Sequence, residues 1–222
     1  LRTTSQVVLT GYGGIGLDLA GKCAVEEVMG RTSYAFATFL GNHTGIGTAG
    51  IVALGTEAQK KKYLPRMASG EWLGCFALTE PQAGSDPAAM RATAVRKGDR
   101  YVLNGEKIFI TNGAVAQLFT VMAITDKSKG IKGISAFIVE RGFPGFAIGR
   151  NELKMGMHGV TTVPLAFNNC EIPADNVILK ADGNQLTRLR DVARVELGAN
   201  SYAIRSLLNN EDAAAIVIFE AP

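Results

Sequence analysis

The alternation of apolar and polar positions changes period twice along the chain. Up to about residue 72 the spacing is helical. Over residues 17–29, Leu19, Ala20, Cys23, Ala24 and Val28 share one face, while Lys22, Glu26 and Glu27 fall on the more exposed side. The Gly- and Ala-rich run over 34–53 suits helices packed closely together. Thr56-Glu57-Ala58-Gln59 carries the S/T-x-x-E/Q pattern of a capping box, in which two side chains satisfy two free N–H groups reciprocally. It opens a short basic helix over 60–64, which Pro65 is expected to disturb because proline donates no backbone hydrogen bond. Lys60, Lys61 and Lys62 read as a solvated face, with a nucleotide phosphate as the alternative partner.

From about residue 73 to 179 the period drops toward two. Strand-like runs recur at 101–103, 107–110, 118–124, 135–139, 146–148 and 162–167. Turn signals separate them: Lys97-Gly98-Asp99, Asn104-Gly105 and Lys129-Gly130. Asn-Gly between two such runs predicts a hairpin joining 101–103 to 107–110. Short strands without intervening helices predict an antiparallel β-barrel or sandwich. Helical spacing returns over 186–208, where Leu189, Val192, Ala193 and Leu197 alternate with Arg188, Arg190, Arg194 and Glu196. The order argues for an α+β protein, not for alternating βαβ units. Its expected parts are an N-terminal helical domain over 1–72, a middle β domain over 73–180 and a C-terminal helical domain over 181–222.

Composition narrows the function. Of 222 residues, 47% are apolar and 19% charged, enough to bury a sizeable core. A formal net charge of +3 gives no phosphate-tracking footprint, so nucleic acid is not an expected partner. The cysteines Cys23, Cys75 and Cys170 stand far apart, as do His43 and His158, so no metal is expected and the thiols read as small buried hydrophobes in a reducing compartment. No run reaches the ~18 apolar residues of a membrane helix, and the opening residues lack the apolar core of a signal peptide. Glycine is abundant, 26 of 222 residues, against roughly 7% in average proteins.

Gly11-Tyr12-Gly13-Gly14-Ile15-Gly16 matches the dinucleotide pattern G-x-G-x-x-G. A Rossmann unit needs a second strand ending in an acid about 20 residues on. Here Arg31-Thr32-Ser33-Tyr34-Ala35-Phe36 occupies that place, so the glycines read as a tight loop entering a helix. More informative is Phe76-Ala77-Leu78-Thr79-Glu80-Pro81-Gln82-Ala83-Gly84-Ser85-Asp86, at the change of period. Hydroxyls at Thr79 and Ser85, open backbone at Ala83-Gly84 and a stiffening Pro81 are the parts needed to hold a planar polar ligand. An ordinary domain-junction loop would share that composition.

Thr79-Glu80-Pro81 followed by Gly84-Ser85-Asp86 resembles the TEPxxGSD signature of the acyl-CoA dehydrogenases. Leu54-Gly55-Thr56-Glu57-Ala58-Gln59-Lys60 resembles the family's helix leading into that loop, and Asn104-Gly105-Glu106-Lys107-Ile108-Phe109-Ile110-Thr111-Asn112-Gly113 its NGxKxWITNG hairpin. Ile172-Pro173-Ala174-Asp175-Asn176-Val177 is similar to the end of its β domain, and the GYGGIG stretch to its YGGxGL opening loop. The resemblance runs from about Gly11 to Val177.

That resemblance implies a flavoenzyme that desaturates acyl-CoA thioesters between Cα and Cβ, with FAD between the β domain and the last helical domain. It implies cofactor contacts from Phe76, Leu78, Thr79, Gly84, Ser85, Phe109, Ile110 and Thr111. Ser85 would lie where flavin phosphates and the substrate's pantetheine meet. Phe109 stands where the family usually has Trp and still offers an aromatic face. The implied partners are an acyl-CoA substrate and an electron-transfer flavoprotein, in a homotetramer or homodimer of the bacterial cytoplasm or mitochondrial matrix.

The family's base is a Glu late in the C-terminal domain. Glu220, in Ile218-Phe219-Glu220, is the candidate, although 189–208 resembles a helix earlier in that domain and 213–219 is more similar to the helix that follows it. Between Gly183 and Asn184 the family carries additional helices. The expectation is therefore that further residues complete the C-terminal domain; a natural truncation acting as an acyl-CoA or partner-binding module is the alternative, as is an acyl-CoA oxidase.

Overall fold

The computed structural model describes residues 10–179 and, for the backbone alone, residues 206–208 and 211–213. Helices occupy Leu19–Thr32 (α1), Tyr34–Thr44 (α2), Ile46–Leu54 (α3) and Glu57–Ser69 (α4). Each of α1, α2 and α4 starts where a polar side chain satisfies a free N–H. Asp18 accepts from Gly21, Ser33 from Phe36 and Thr56 from Gln59. The capping box is complete: the Gln59 side chain accepts the Thr56 N–H at 2.9 Å.

Pro65 does not end α4. The helix runs through it to Gly70, whose φ of 80° closes the C-terminus. One backbone bond is forfeited at Pro65, but the same turns bury Tyr63, Leu64, Met67 and Ala68, and burial of a large apolar side chain is worth ~1.5–3 kcal/mol. Lys62 bonds Glu140 Oε1 at 2.8 Å, and Lys60 approaches Glu57 at 3.5 Å.

Strands follow at Gly74–Ala77 (β1), Thr93–Lys97 (β2), Arg100–Thr111 (β3), Leu118–Ile124 (β4), Ile134–Glu140 (β5), Phe146–Ile148 (β6), Thr162–Pro173 (β7) and Val177–Leu179 (β8). They form one eight-stranded sheet in the order β6-β7-β3-β2-β4-β5-β8, with β1 beside β4. The sheet is mixed, not purely antiparallel: β1 runs parallel to β4, and Thr93 of β2 makes a parallel bridge to Ile124 of β4. Parallel pairing requires a long return, and the β2–β3 excursion between β1 and β4 supplies it.

The expected hairpin at Asn104-Gly105 is absent, because β3 passes straight through it. Gly105 has φ 138°, and a Cβ there would stand 2.7 Å from Ala92 Cα, so the glycine serves a close backbone approach. The turn lies earlier. Lys97 pairs with Arg100 across the two-residue loop Gly98-Asp99, with Gly98 at φ 62°.

Strands β4 and β5 are buried on both faces. Phe119, Val121, Phe137 and Val139 point into a core shared with Tyr101, Leu103, Leu165 and Phe167. Leu118, Ala136 and Ile138 point the other way, onto Ile51, Tyr63, Leu64 and Met67 of the helices. Double burial explains why Leu118-Phe119-Thr120-Val121-Met122-Ala123-Ile124 reads as a nearly continuous apolar run. Phe146 of β6, at one end of the sheet, packs at 4.8 Å on Phe119 of β4 and at 5.0 Å on Phe167. The sheet therefore curls around its core.

Helix α1 departs from expectation. Its apolar face is uncovered among the described residues, with Leu19 77% and Val28 59% exposed. Cys23 is exposed with it, whereas Cys75 and Cys170 are buried; burial pushes both thiols up, Cys170 to about 11. Glu26, expected outside, folds toward α2, where a Cβ on Gly41 would stand 3.3 Å from both carboxylate oxygens. The GYGGIG stretch forms a short 3-10 turn over Thr10–Tyr12, with no βαβ unit among the described residues. No described helix is long and apolar enough to cross a membrane.

A separate unit spans Gly183–Pro222. Within it Ser206–Leu208 (β9) pairs antiparallel with Glu211–Ala213 (β10), Leu208 opposite Glu211. This replaces the helix expected to reach residue 208. The two residues between the strands are Asn209 and Asn210, a type that favours turns over helix interiors. The expected helices over 186–205 and 214–219 lie outside the described residues.

Candidate functional site

Strand β1 delivers the chain to the site. Its first residue, Gly74, meets α3 backbone to backbone, and a Cβ on Gly47 would stand 2.5 Å from Gly74 O. Beyond Ala77 the chain turns at Pro81-Gln82, where Glu80 and Ala83 exchange two backbone hydrogen bonds of 3.1 and 3.0 Å. Asp86 then caps the 3-10 turn Pro87–Ala89 by accepting the Ala88 N–H.

Glu80 holds this turn together from inside. Its side chain is 2% exposed. Oε2 accepts the Arg91 N–H at 2.6 Å and Gln82 Nε2 at 2.6 Å, while Oε1 accepts the Ala92 N–H at 3.1 Å. Lys107 Nζ, wholly buried, donates to Glu80 Oε1 at 2.7 Å and to Leu78 O at 3.0 Å. Burial acts to raise the carboxyl and to lower the ammonium. For Glu80 the hydrogen bonds from Lys107, Arg91 and Ala92 outweigh burial and hold it below its usual range. For Lys107 burial outweighs the hydrogen bond and charge of Glu80, and its ammonium sits below its usual range.

The second wall is β3. Its register against β7 shifts between Lys107/Leu165 and Ile110/Val163, one extra residue on β3, and this bulge holds Phe109 at φ 57°. A bulky residue in the left-handed region costs ~1–3 kcal/mol. Here the strain leaves the ring 61% exposed. The Ile108 N–H donates to Thr79 O at 2.9 Å, which fastens the bulge to the turn. Just beyond, buried Asn112 sits at φ 65°, accepts nothing at its Oδ1 among the described residues, and donates from Nδ2 to Phe39 O of α2 at 2.8 Å.

The structure brings Leu78, Thr79, Lys107 and Ile108 into direct contact. Phe109 and Thr111 follow on the same strand. Phe76, Leu78, Thr79 and Thr111 are half-buried, and Gly84 and Ser85 lie exposed on the same loop, with open space around a Cβ added at Gly84. Ile110 is buried in the sheet core, so only its backbone is available to a ligand. Glu220 lies outside the described residues. The hydroxyls of Thr79, Ser85 and Thr111 have no partner among the described residues. An exposed aromatic residue and one unengaged hydroxyl on the strand, with two more hydroxyls on the loop fastened to it, suit a flat heteroaromatic ring bearing both donors and acceptors.

Sequence reasoning missed the Glu80–Lys107 pair. One signal was available: Lys107 has the same strand parity as Tyr101 and Leu103, both in the core. A lysine in that phase requires an acidic partner.

A helical layer packed on a curled mixed sheet, with a polar loop laid along a bulged strand, defines the class. Residues 6–71 match the family model of the acyl-CoA dehydrogenase N-terminal domain, and residues 75–170 match that of the acyl-CoA dehydrogenase middle domain. The chain belongs to the acyl-CoA dehydrogenase family. It is 43% identical over 195 residues to an acyl-CoA dehydrogenase of Bacillus subtilis, an alignment covering 87% of this chain and 52% of that protein. Butyryl-CoA dehydrogenase from Megasphaera elsdenii superposes with a TM-score of 0.78 at 40% identity, over 82% of this chain and 49% of the other. An acyl-CoA dehydrogenase from Bacillus anthracis, solved in complex with FAD, superposes with a TM-score of 0.76 at 41% identity, over 81% of this chain and 31% of the other. The chain spans about half the length of the curated relatives it matches.

Proposed function

We propose that the protein is an FAD-dependent acyl-CoA dehydrogenase that converts an acyl-CoA thioester to the trans-2-enoyl-CoA and passes electrons to an electron-transfer flavoprotein. The observation that carries this reading is Phe109: a strained, exposed aromatic residue on the strand that carries Thr111, next to Ile108, which bonds Thr79 of the loop. That donor set fits the isoalloxazine ring, and a relative of like fold is complexed with FAD.

FAD, when bound, supplies the acceptor for the β-hydride. The chain's own part is orientation. Leu78 and Thr79 offer backbone and hydroxyl contacts to the ring, with Thr111 as a further donor. Phe109 covers a face and excludes water. Gly84 and Ser85 sit at the exposed end of the loop, where phosphates and pantetheine would be reached. Removing a weakly acidic α-proton requires hydrogen bonds to the thioester oxygen and a carboxylate base. Glu220 is proposed as that base. A homotetramer or homodimer is proposed with the activity.

The test is a visible spectrum of the purified protein with FAD, before and after a panel of acyl-CoAs of different chain length. A flavin spectrum that bleaches anaerobically and is restored by electron-transfer flavoprotein, but slowly by oxygen, supports the reading. Fast reoxidation by oxygen would make it an oxidase. No flavin uptake and no response to any acyl-CoA would leave only a binding module.

A further inference from the structure

The Glu80–Lys107 pair holds its own turn together and also reaches the loop backbone at Leu78 O. Replacing a buried ion pair by apolar residues of similar volume is often neutral or stabilising. This pair nonetheless bonds the loop at Leu78 O, with Lys107 wholly buried and Glu80 2% exposed.

We infer that Lys107, with Glu80 as its buried counter-ion, is a positioning residue for the flavin, acting through the Leu78–Thr79 peptide. This deepens the flavin reading above and rests on it.

The geometry is specific. Lys107 Nζ is 3.0 Å from Leu78 O. The described residues contain no cis peptide bonds, so the Thr79 N–H is antiparallel to that carbonyl in one plane and points away from Lys107. The next carbonyl, Thr79 O, is taken by the Ile108 N–H at 2.9 Å. Both carbonyls flanking Thr79 are thus fastened to β3, and the Thr79 N–H makes no hydrogen bond among the described residues. One ammonium therefore aims a free donor outward. It also polarises that donor, because a carbonyl bonded to a cation strengthens the N–H of its own amide plane.

The same residue governs the opposite wall. Lys107 is the last residue of β3 in register with β7 before the bulge that presents Phe109. Glu80 completes the device by gathering the N–H groups of Arg91 and Ala92, so the ammonium cannot shift without opening the loop. A donor held where negative charge gathers on a reduced flavin, at N1 or a ring carbonyl oxygen, favours the reduced form. Its loss lowers the reduction potential as well as the affinity.

The test compares the purified protein with two double variants, Glu80→Gln/Lys107→Met and Glu80→Gln/Lys107→Gln. The first removes the donor to Leu78 O together with both charges; the second keeps a neutral donor. Three readings are taken: thermal midpoint of the apoprotein, FAD affinity by titration, and flavin reduction potential against a reference dye. The Met variant should fold, bind FAD about tenfold more weakly, as expected for losing one directed hydrogen bond, and show a more negative potential. The Gln variant should recover part of both. If the Met variant fails to fold, a smaller negative shift in the Gln variant supports the same role for Lys107. Affinity and potential equal to the unmodified protein in a folded variant, whatever its thermal midpoint, would overturn the inference and leave the pair as scaffold. An unmodified protein that takes up no FAD would sink the flavin reading itself.

Discussion

The Nδ1 atom of His43 accepts the backbone N–H of Gly74 at 3.0 Å, and this one contact assigns both ring nitrogens. With Nδ1 an acceptor, Nε2 carries the proton and donates to Met67 O at 3.1 Å. A buried histidine thus ties α2 to α4 and to the strand that feeds the site.

Burial pushes the His43 pKa below its ordinary value of 6.5, against a smaller opposing effect of the bond to Met67 O. Below pH 6.5 the unfolded chain therefore binds a proton that the folded chain refuses. The His43 contribution is whole above that pH and is lost as pH falls through the window beneath it. Thermal midpoints should drop from about pH 6.5 downward, before the carboxylates titrate. His43→Gln, which keeps one donor and one acceptor, should flatten the drop. His43→Ala should cost about 3 kcal/mol in urea denaturation, for two lost hydrogen bonds and a cavity.

Thr56 and Gln59 share one cap but not one role. Thr56→Ala should cost about 1 kcal/mol. Gln59 also donates from Nε2 to Asp175 O at 2.7 Å and Val177 O at 2.9 Å, fastening α4 to the 3-10 turn after β7 and to the start of β8. Gln59→Ala should therefore cost about 3 kcal/mol, because two part-buried carbonyls lose their donor. Equal costs in denaturant melts would show that the long-range bonds contribute nothing.

Phe109 offers a separation of stability from binding. Glycine adopts φ 57° without the strain that alanine bears there. Phe109→Gly should be about 1 kcal/mol more stable than Phe109→Ala in the apoprotein. Both should bind FAD more weakly than the unmodified protein, since each lacks the ring. Differential scanning fluorimetry and FAD titration on the three proteins check the two statements independently.

Gly47 and Gly74 touch through their backbones. A methyl at Gly47 would lie 2.5 Å from Gly74 O and 2.7 Å from its carbonyl carbon, neither of which can swing away. Gly47→Ala should destabilise by about 3 kcal/mol. Gly84→Ala, where nothing lies within 4 Å of the added atom, should leave stability within about 0.5 kcal/mol.

Periodic and local signals were legible in the sequence. The capping box at Thr56–Gln59 and the runs at 118–124 and 146–148 coincide with structural elements, because each depends on neighbours a few residues away. Where a tertiary contact decides, the sequence was mute or misleading. Asn104-Gly105 has the composition of a turn but serves as the spot where Ala92 presses on β3. Pro65 carries a helix-breaking signal that the burial of its neighbours outweighs. At the site, the resemblance named a loop and a strand that the structure fastens together through Thr79 and Ile108. The left-handed backbone of Phe109 and the buried pairing of Lys107 with Glu80 depend on register and depth, which no linear motif records.

Strands β4 and β5 form a wall common to two cores, the curled sheet on one side and the helices on the other. The consequence is cooperative. Parting the helical layer from the sheet would bare Leu118, Ala136 and Ile138 on one side and Ile51, Leu64 and Met67 on the other. Residues 10–179 should therefore melt in a single transition. A fragment cut near residue 72 should behave as an expanded, dye-binding chain, since the change of period seen there in the sequence falls within one folding unit.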